Sequence, residues 1–382
     1  MADTADKPDD LSALMRSIDK KLGGAVKIIS IDEAENPYSL RRPFGILSVD
    51  RKLKGGLPAG TMCQIFGPDG IGKDMLINYL MAENQRRYGV KSNIFWMSFG
   101  YKPDLGFMRM CGMQLGLQDS ELIAMGQIPE DCDEELRGIT KGNVRFIEIT
   151  SEAADKPAES LLSAVLELIR SNMFQIGIIN ELGSGETKDN VKKSLAEDAK
   201  MATFASLYAD FCRKFYTALR MPTADGRPNE TTLVAINPVR ANLNTMTAKF
   251  QKYEQPSGMA LRHAKVIDIH LDKGGSVRQS NKKIGKTVKW KVAKGKHGIS
   301  EGAEGTYDII FNKGVDLVAD AAMTAKAVGT IRNVGRYYYI LDFEDPVEGG
   351  IAGVTDLLRE KPKLLEVVKK ATIERITCET NE

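Results

Sequence analysis

The feature that most constrains this chain is a glycine-rich turn between a short apolar run and an amphipathic segment. Gly67 is followed by four residues and then by Gly72 and Lys73, and the apolar run Met62–Phe66 precedes it. This spacing is typical of a phosphate-binding loop, in which glycines let backbone N–H groups point at one anion and the lysine supplies a cation. The sequence therefore predicts a strand, a nucleotide cradle and a helix over about Met75–Arg87.

One position of the loop departs from the motif. Asp74 stands where such loops carry Ser or Thr, whose hydroxyl binds Mg²⁺. A carboxylate there repels phosphate oxygens in the absence of metal, although carboxylates are also ligands that Mg²⁺ accepts. We predict ATP or ADP as cofactor, with Asp74 as a candidate Mg²⁺ ligand. The predicted nucleotide-binding residues of the loop are Gly67, Pro68, Asp69, Gly70, Ile71, Gly72, Lys73 and Asp74. Because 35 of 382 residues are glycine, an ordinary glycine-rich turn is the alternative.

Composition narrows the partners and the compartment. The formal net charge is only +2, so any affinity for nucleic acid must come from local clusters of basic residues. No apolar run approaches the length of a membrane span, and the acidic N-terminal segment lacks a signal-peptide core. The five cysteines form no C-x-x-C pair, which favours reduced thiols. We expect a cytoplasmic protein with no membrane partner.

Strands and helices alternate after the loop. This alternation predicts an α/β fold, with a mostly parallel twisted sheet flanked by helices on both faces. Nucleotides bind at the carboxyl ends of such strands, so the residues that follow each strand are candidates for the site. The predicted strands are Asn93–Ser98, Val144–Thr150, Phe174–Asn180 and Thr231–Asn237, and the predicted helices are Ser160–Asn172 and Ala196–Leu219.

Three parts are predicted along the chain. Residues 1–42 hold an N-terminal helix and linker, 43–328 the P-loop core, and 329–382 a small α+β C-terminal domain. The helix Leu11–Leu22 has one apolar face, which must pack either on its own body or on a neighbouring subunit.

The second half of the core carries a basic run. Strands are predicted at Val266–Leu271, Thr287–Ala293 and Thr306–Phe311. Nine Lys or Arg and no acid lie between Lys273 and Lys296. This run is either a solvated face or a surface that holds a phosphate backbone.

The motifs, in this order, resemble the RecA-like recombinase family of bacteria and phages, whose members polymerise on single-stranded DNA. The resemblance runs from about Leu11 to Ile376. It implies a RecA-type P-loop NTPase core, an N-terminal polymerisation helix, single-stranded DNA as partner and a homo-oligomeric helical filament. The segments that carry the resemblance are Ile18–Gly23, Leu47–Asp50, Gly55–Gly60, Ala235–Arg240, Ser257–Leu261 and Lys294–Lys296.

The resemblance also assigns roles to residues outside the loop. It implies that Lys294 and Lys296 reach the nucleotide of a neighbouring subunit, and that Asn180 lies at the nucleotide. The predicted DNA-binding residues are Lys188, Lys192, Lys193, Arg240, Asn242, Lys249, Phe250, Lys252, Tyr253, Ser257 and Gly258.

Departures from the family are concentrated where hydrolysis takes place. Ser98-Phe99-Gly100 lacks the glutamate that activates water, Asn180 replaces an acid of the Mg²⁺ shell, and Pro238 replaces a glutamine that senses the γ-phosphate. Glu181 is a candidate catalytic replacement, and a solvated strand-end acid is the alternative.

Three functions follow as alternatives from these departures. The first is a filament protein on single-stranded DNA whose ATP hydrolysis is weak or lost. The second is an active DNA-dependent ATPase that catalyses strand exchange. The third is a non-catalytic scaffold, or a partner that co-assembles with an active recombinase. An unrelated P-loop enzyme such as a kinase fits the order of motifs less well.

Overall fold

The computed structural model describes residues 8–23, 36, 38–192, 201–221, 227–241, 253–254, 258–341 and 345–381. The chain divides into two compact units, Met1–Pro37 and Tyr38–Glu382. The first contains helix α1 (Pro8–Leu22), which begins three residues before the predicted helix.

The second unit contains the other elements. Its helices are α2 (Leu47–Lys52), α3 (Lys73–Tyr88), α4 (Leu105–Met110), α5 (Asp119–Ala124), α6 (Glu134–Arg137), α7 (Pro157–Arg170), α8 (Lys188–Val191), α9 (Met201–Arg220), α10 (Gly258–Ala264), α11 (Leu317–Ala327), α12 (Gly350–Glu360) and α13 (Pro362–Asn381). Its strands are β1 (Arg41–Arg42), β2 (Leu57–Pro58), β3 (Met62–Gly67), β4 (Asn93–Ser98), β5 (Asn143–Ile147), β6 (Ile176–Asn180), β7 (Thr232–Pro238), β8 (Arg240–Ala241), β9 (Tyr253–Glu254), β10 (Ile267–Gln279), β11 (Lys282–Lys294), β12 (Glu304–Ile310), β13 (Gly314–Val315), β14 (Ile331–Val334) and β15 (Tyr337–Ile340).

A nine-stranded sheet organises the described residues, in the order β13-β12-β11-β10-β3-β7-β6-β4-β5. The strands from β10 to β5 pair in parallel, and the three pairs at the other end are antiparallel. All six residues of β3 are buried, as expected for a central strand covered on both faces. The predicted α/β fold with a mostly parallel, helix-flanked sheet is confirmed.

Alternate residues of the central strands pack into two separate hydrophobic cores, one on each face of the sheet. Val234 and Ile236 of β7 join a cluster with Leu76 of α3 on one face of the sheet. Leu233 and Ala235 join a cluster with α7 and α9 on the other face. Because side chains alternate across a strand, each apolar run supplies both faces and fixes the sheet between two helical layers.

Strands β10 and β11 form a hairpin that is longer than predicted. Each is thirteen residues long, and they meet in a two-residue turn at Ser280 and Asn281, whose φ angles are 46° and 64°. Positive φ at both central residues is typical of a type I′ hairpin turn. The predicted strands stopped short because the outer half of the hairpin is exposed and carries no apolar alternation.

The C-terminal elements share a core of their own. Ile331 and Ile340 of the β14–β15 hairpin pack with Val354 of α12 and Val368 of α13. Ala322 of α11 belongs to the same cluster. The predicted α+β character of the tail matches these elements, while the boundary at residue 328 stays a prediction.

Two expectations concern the whole chain. All five cysteines are free thiols, in agreement with the absence of a disulfide framework. No helix of the described residues is long and apolar enough to cross a membrane.

Candidate nucleotide-binding site

The glycine-rich loop lies at the carboxyl end of the central strand, between β3 and α3. A Cβ atom at Gly67 would stand 2.4 Å from the carbonyl oxygen of Leu271 in β10. Gly72 has φ 113°, and a Cβ atom there would stand 2.9 Å from Ile309 Cδ1 in β12. The loop is therefore seated so closely against β10 and β12 that both positions require glycine.

Lys73 is held inside the curve of the loop. Its Nζ donates hydrogen bonds to the carbonyl oxygens of Gly67 at 2.9 Å and Pro68 at 3.1 Å, and lies 3.7 Å from Asp69 Oδ1. Burial lowers the pKa of Lys73, while the carboxylates of Asp69, Asp74 and Glu181 act in the opposite direction. Lys73 lies beside the N-terminus of α3, where unsatisfied N–H groups favour an anion.

Asp74 lies in the first turn of α3. Although its side chain stays solvent-exposed, partial desolvation raises its pKa, and the Lys73 ammonium opposes that rise. The described residues contain no group of three His, Cys, Asp or Glu that could hold a metal ion. Asp74 fits one ligand position of Mg²⁺, and phosphate oxygens and water would have to supply most of the others.

The ends of three neighbouring strands converge beside the loop. Ser98 of β4 pairs with Asn180 of β6, and Gly67 of β3 pairs with Pro238 of β7. Asn180 is buried, and its carbonyl oxygen accepts a hydrogen bond from the Phe99 N–H at 3.1 Å. The positions at which the sequence departs from the family that it resembles therefore lie along the same sheet edge as the loop.

Glu181 has an unusual backbone and a crowded side chain. Its φ and ψ are 54° and 47°, the left-handed conformation that costs a non-glycine residue roughly 1 kcal/mol or more. A Cβ atom at Gly100 would stand 2.1 Å from Glu181 Oε2. The carboxylate thus fills the space above the end of β4 that a side chain at position 100 would need.

The electrostatics of Glu181 connect it to the loop. Desolvation raises its pKa, as do the charges of Asp74 and Asp69, while Lys73 lowers it. Glu181 is therefore within electrostatic reach of the phosphate cradle. This position favours the catalytic interpretation over a freely solvated acid, and its role stays a prediction.

Lys294 and Lys296 lie apart from this loop. Lys294 Nζ donates to the carbonyl oxygen of Arg262 at 2.5 Å and contacts that of His263 at 3.5 Å, at the end of α10. Lys296 is exposed. Neither contact involves the loop of the same chain, and the predicted role toward a neighbouring subunit remains untested.

The predicted DNA-binding residues lie in two segments. Arg240 and Ala241 pair antiparallel with Glu254 and Tyr253, which brings the ends of the predicted DNA loop together. Lys188 and Lys192 are exposed around α8, and Gly258 begins α10. Six predicted residues lie outside the described part of the chain: Lys193, Asn242, Lys249, Phe250, Lys252 and Ser257.

Sequence reasoning missed one residue at the loop. Lys286 of β11 donates a hydrogen bond from Nζ to the carbonyl oxygen of Gly70. The basic run from Lys273 to Lys296 was visible in the sequence, but which lysine reaches the loop depends on the hairpin register.

The chain was compared with known proteins. No protein-family model matches it. It is 23% identical to Protein RecA of Chloroflexus aurantiacus over 372 residues, which cover 97% of this chain and 92% of that protein. It is 24% identical to Protein RecA of Thermus thermophilus over 368 residues, covering 96% and 94%, and 24% identical to Protein RecA of Nostoc punctiforme over 382 residues, covering 98% and 90%.

These similarities extend over nearly the whole of each protein, and the shared region includes the loop, the sheet and the C-terminal elements. The P-loop on the central strand of a mostly parallel sheet agrees with them. The chain therefore resembles the RecA-like family over nearly its whole length.

Proposed function

We propose that this chain is a recombination and repair protein that binds ATP or ADP, forms helical filaments on single-stranded DNA, and hydrolyses ATP slowly. The observation that carries the proposal is the loop at Gly67–Lys73, with its lysine retained, beside strand ends that lack the family's hydrolytic side chains. Loss of a general base alone lowers a rate on the order of 10²–10⁴-fold.

Each part of the site has its own role in this proposal. The loop N–H groups, the N-terminus of α3 and Lys73 bind the nucleotide phosphates. Mg²⁺, when bound, neutralises phosphate charge, with Asp74 as a ligand. The loop between Arg240 and Gly258 and the segment around Lys188 bind the DNA backbone. Pro238 has neither an N–H nor a side-chain amide, so it cannot report the γ-phosphate to the DNA loop through a hydrogen bond.

A second candidate, an active ATPase, is favoured by the position of Glu181. Its carboxylate faces the loop charges, and its raised pKa suits a group that accepts a proton from an attacking water. In this case the strand-end acid of β6 replaces the one missing after β4. The third candidate, a scaffold or partner of an active recombinase, needs only assembly.

Two measurements together separate the three candidates. Steady-state ATP turnover is measured with and without single-stranded DNA, and filaments are imaged by negative-stain microscopy with and without DNA and an ATP analogue. Filaments that need both ligands, with slow turnover, support the proposal. Turnover like that of an ordinary RecA supports the active ATPase. Filaments without nucleotide support the scaffold, and persistent monomers that bind neither ligand contradict all three.

A further inference from the structure

The two ends of the phosphate-binding loop are held by close packing, whereas its middle is not. Gly67 lies against the carbonyl oxygen of Leu271 in β10, and Gly72 lies against Ile309 in β12. Gly70, between them, has a φ angle of 65°, and a Cβ atom placed there would meet nothing within 4 Å. Because glycine adopts many other backbone conformations at little cost, packing alone does not fix the middle of the loop.

One polar contact holds the middle of the loop from outside. The Nζ atom of Lys286, in β11, donates a hydrogen bond to the carbonyl oxygen of Gly70. Side chains alternate across a strand, so Lys286 shares a face of β11 with Val288 and Trp290. Those two residues are buried in the core that also contains residues of α3. Lys286 therefore lies on the side of the sheet from which its side chain reaches the loop.

The peptide group held by Lys286 carries a donor on its other side. The carbonyl oxygen of Gly70 and the N–H of Ile71 belong to one planar trans peptide group, so they point in opposite directions. The N–H of Ile71 points into the loop and donates to the carbonyl oxygen of Pro68 at 3.4 Å. Lys73 Nζ donates to the same oxygen at 3.1 Å. The N–H and the ammonium therefore converge on one point inside the loop.

The outer hydrogen bond of this peptide group is the stronger of the two. A distance of 3.4 Å is long for an N–H···O bond, whereas a hydrogen bond from an ammonium is strengthened by its charge. The side chain of Ile71 is buried and anchors that residue, but this leaves the peptide group before it able to rotate. Without Lys286, the peptide group would turn and take the Ile71 N–H away from the inside of the loop.

We propose that Lys286 is a positioning residue of the nucleotide site. It holds the peptide group between Gly70 and Ile71 so that the Ile71 N–H binds the nucleotide phosphates together with Lys73. The inference rests on the proposed nucleotide-binding function and adds to it a residue from a distant strand. Lys286 contacts the loop and not the nucleotide, and Mg²⁺ keeps its role at the phosphates.

The first measurement is the affinity of a fluorescent ATP analogue in the presence of Mg²⁺, by anisotropy. The variant K286M should bind about fivefold more weakly than the wild type, because the loop loses a charge-assisted hydrogen bond that aims one of its donors. K286R should bind within about twofold of the wild type, since a guanidinium also donates to a carbonyl oxygen.

A matched control removes one charge from the same strand. Lys289 is an exposed residue of β11, three positions further on and therefore on the opposite face, and its side chain makes no hydrogen bond or ion pair with the residues that the structure describes. K289M should bind within about twofold of the wild type. The melting temperature of each variant checks its folding, and K286Q replaces K286M in every measurement if K286M does not fold.

The second measurement separates positioning from a simple effect of charge. Amide hydrogen exchange is followed in the segment 67–76 of the nucleotide-free protein. Exchange should be faster in K286M than in the wild type, because the middle of the loop opens more often. It should be unchanged in K286R and K289M. A lysine that only attracted the nucleotide from a distance would leave exchange in K286M unchanged.

The outcomes distinguish this inference from the function on which it rests. If the wild type binds no nucleotide, the proposed nucleotide-binding function fails, and the role of Lys286 fails with it. If the wild type binds and K286M binds equally well, or K289M loses as much affinity as K286M, only the role of Lys286 is overturned. Weaker binding by K286M with unchanged exchange in 67–76 also overturns it, because the lysine would then act through its charge alone.

Discussion

The carboxylate of Glu181 lies over the backbone of Gly100, so closely that a Cβ atom at Gly100 would stand 2.1 Å from Glu181 Oε2. The two residues follow neighbouring parallel strands, since β4 ends at Ser98 and β6 ends at Asn180. Because Gly100 has no side chain, the space beyond the end of β4 is open to the carboxylate of Glu181, which follows β6. A carboxylate therefore lies at this sheet edge, although the residues that follow β4 lack the glutamate that the family resemblance places there.

The first prediction concerns ATP turnover. Glu181→Gln should lower whatever turnover the wild type has by about 100-fold, because an amide cannot accept the proton of an attacking water. Nucleotide affinity should not fall, since the substitution leaves the loop in place and removes a negative charge that faces the phosphates. Phosphate release under single-turnover conditions measures the rate. Glu186→Gln, at an exposed acid five residues further on, is the control. Equal rates for Glu181→Gln and the wild type would remove Glu181 from the chemistry.

Gly100→Ala tests the same relationship from the other side. The added methyl group must displace the Glu181 carboxylate, because 2.1 Å is far inside any van der Waals contact. We expect the rate to fall in parallel with that of Glu181→Gln, while the melting temperature changes little at this exposed position. A variant with unchanged turnover would show that the carboxylate need not lie at Gly100.

The second prediction concerns Asp74 and pH. The pKa of Asp74 and the pKa of Glu181 are both raised by desolvation, so each carboxylate gains its proton at a higher pH than an exposed acid. Protonation removes a negative charge that faces the phosphates. The affinity for ATP in EDTA should therefore rise as pH falls below neutrality. In EDTA at neutral pH, the variant Asp74→Asn should bind ATP roughly tenfold more tightly than the wild type, and its affinity should change less with pH. Titration of the nucleotide itself affects both proteins equally, so parallel pH profiles would contradict a role for Asp74.

Much of the fold could be predicted because the chain marks its elements in local ways. The apolar runs ending at Phe66, Ser98 and Asn180 bound their strands to within a residue or two, because buried parallel strands are almost continuously apolar. The helix at α7 began three residues before the predicted one, since Pro157 at its first turn starts the helix and is not part of the apolar pattern. The local sequence therefore predicted the existence and the type of each helix or strand more reliably than its first and last residues.

The site was predictable only in part, because some of its contacts depend on the pairing register of strands that are distant in sequence. The loop residues could be located from spacing alone, but nothing local indicates that Lys286 reaches Gly70. Glu181 was recognisable as the one nearby acid, yet its position over Gly100 follows from a left-handed backbone that no propensity favours for glutamate. Contacts across a sheet are set by pairing, which the sequence of one strand does not contain.

The third prediction concerns DNA. Replacing Lys249 and Lys252 by Ala together should weaken binding of single-stranded DNA. It should also reduce the slope of log affinity against log salt by about 1.4, if each lysine neutralises one phosphate. Fluorescence anisotropy with a labelled oligonucleotide at several salt concentrations measures both quantities. Lys361 and Lys363, which are exposed at the start of α13, provide a matched double-alanine control. An unchanged slope in the Lys249 and Lys252 variant would show that these lysines do not contact the DNA backbone.

The fourth prediction concerns stability and rests on Asp50. Its carboxylate is buried, with Oδ1 accepting from the Phe44 N–H at 2.7 Å and Oδ2 from the Gly45 N–H at 2.9 Å. Burial raises its pKa to about 8, and the nearby carboxylates of Glu83 and Asp320 act in the same direction. In the unfolded chain the same group titrates near its ordinary value of 3.8. The folded protein therefore holds one more proton than the unfolded chain between these two values.

The sign of the pH effect follows from that extra proton. Asp50 favours folding below about pH 4, and its contribution is lost as pH rises toward 8, at about 1.4 kcal/mol per pH unit for one proton. Urea unfolding at pH 5, 6, 7 and 8 should show a stability that falls with pH. Asp50→Asn should be less stable at pH 5, because one of the two backbone N–H groups loses its acceptor, but its stability should fall less steeply. Asp320, whose pKa burial also raises, leaves a residual slope in the variant. If the variant and the wild type give parallel curves, Asp50 is ionised throughout this range, and its two backbone hydrogen bonds outweigh the cost of burying the charge.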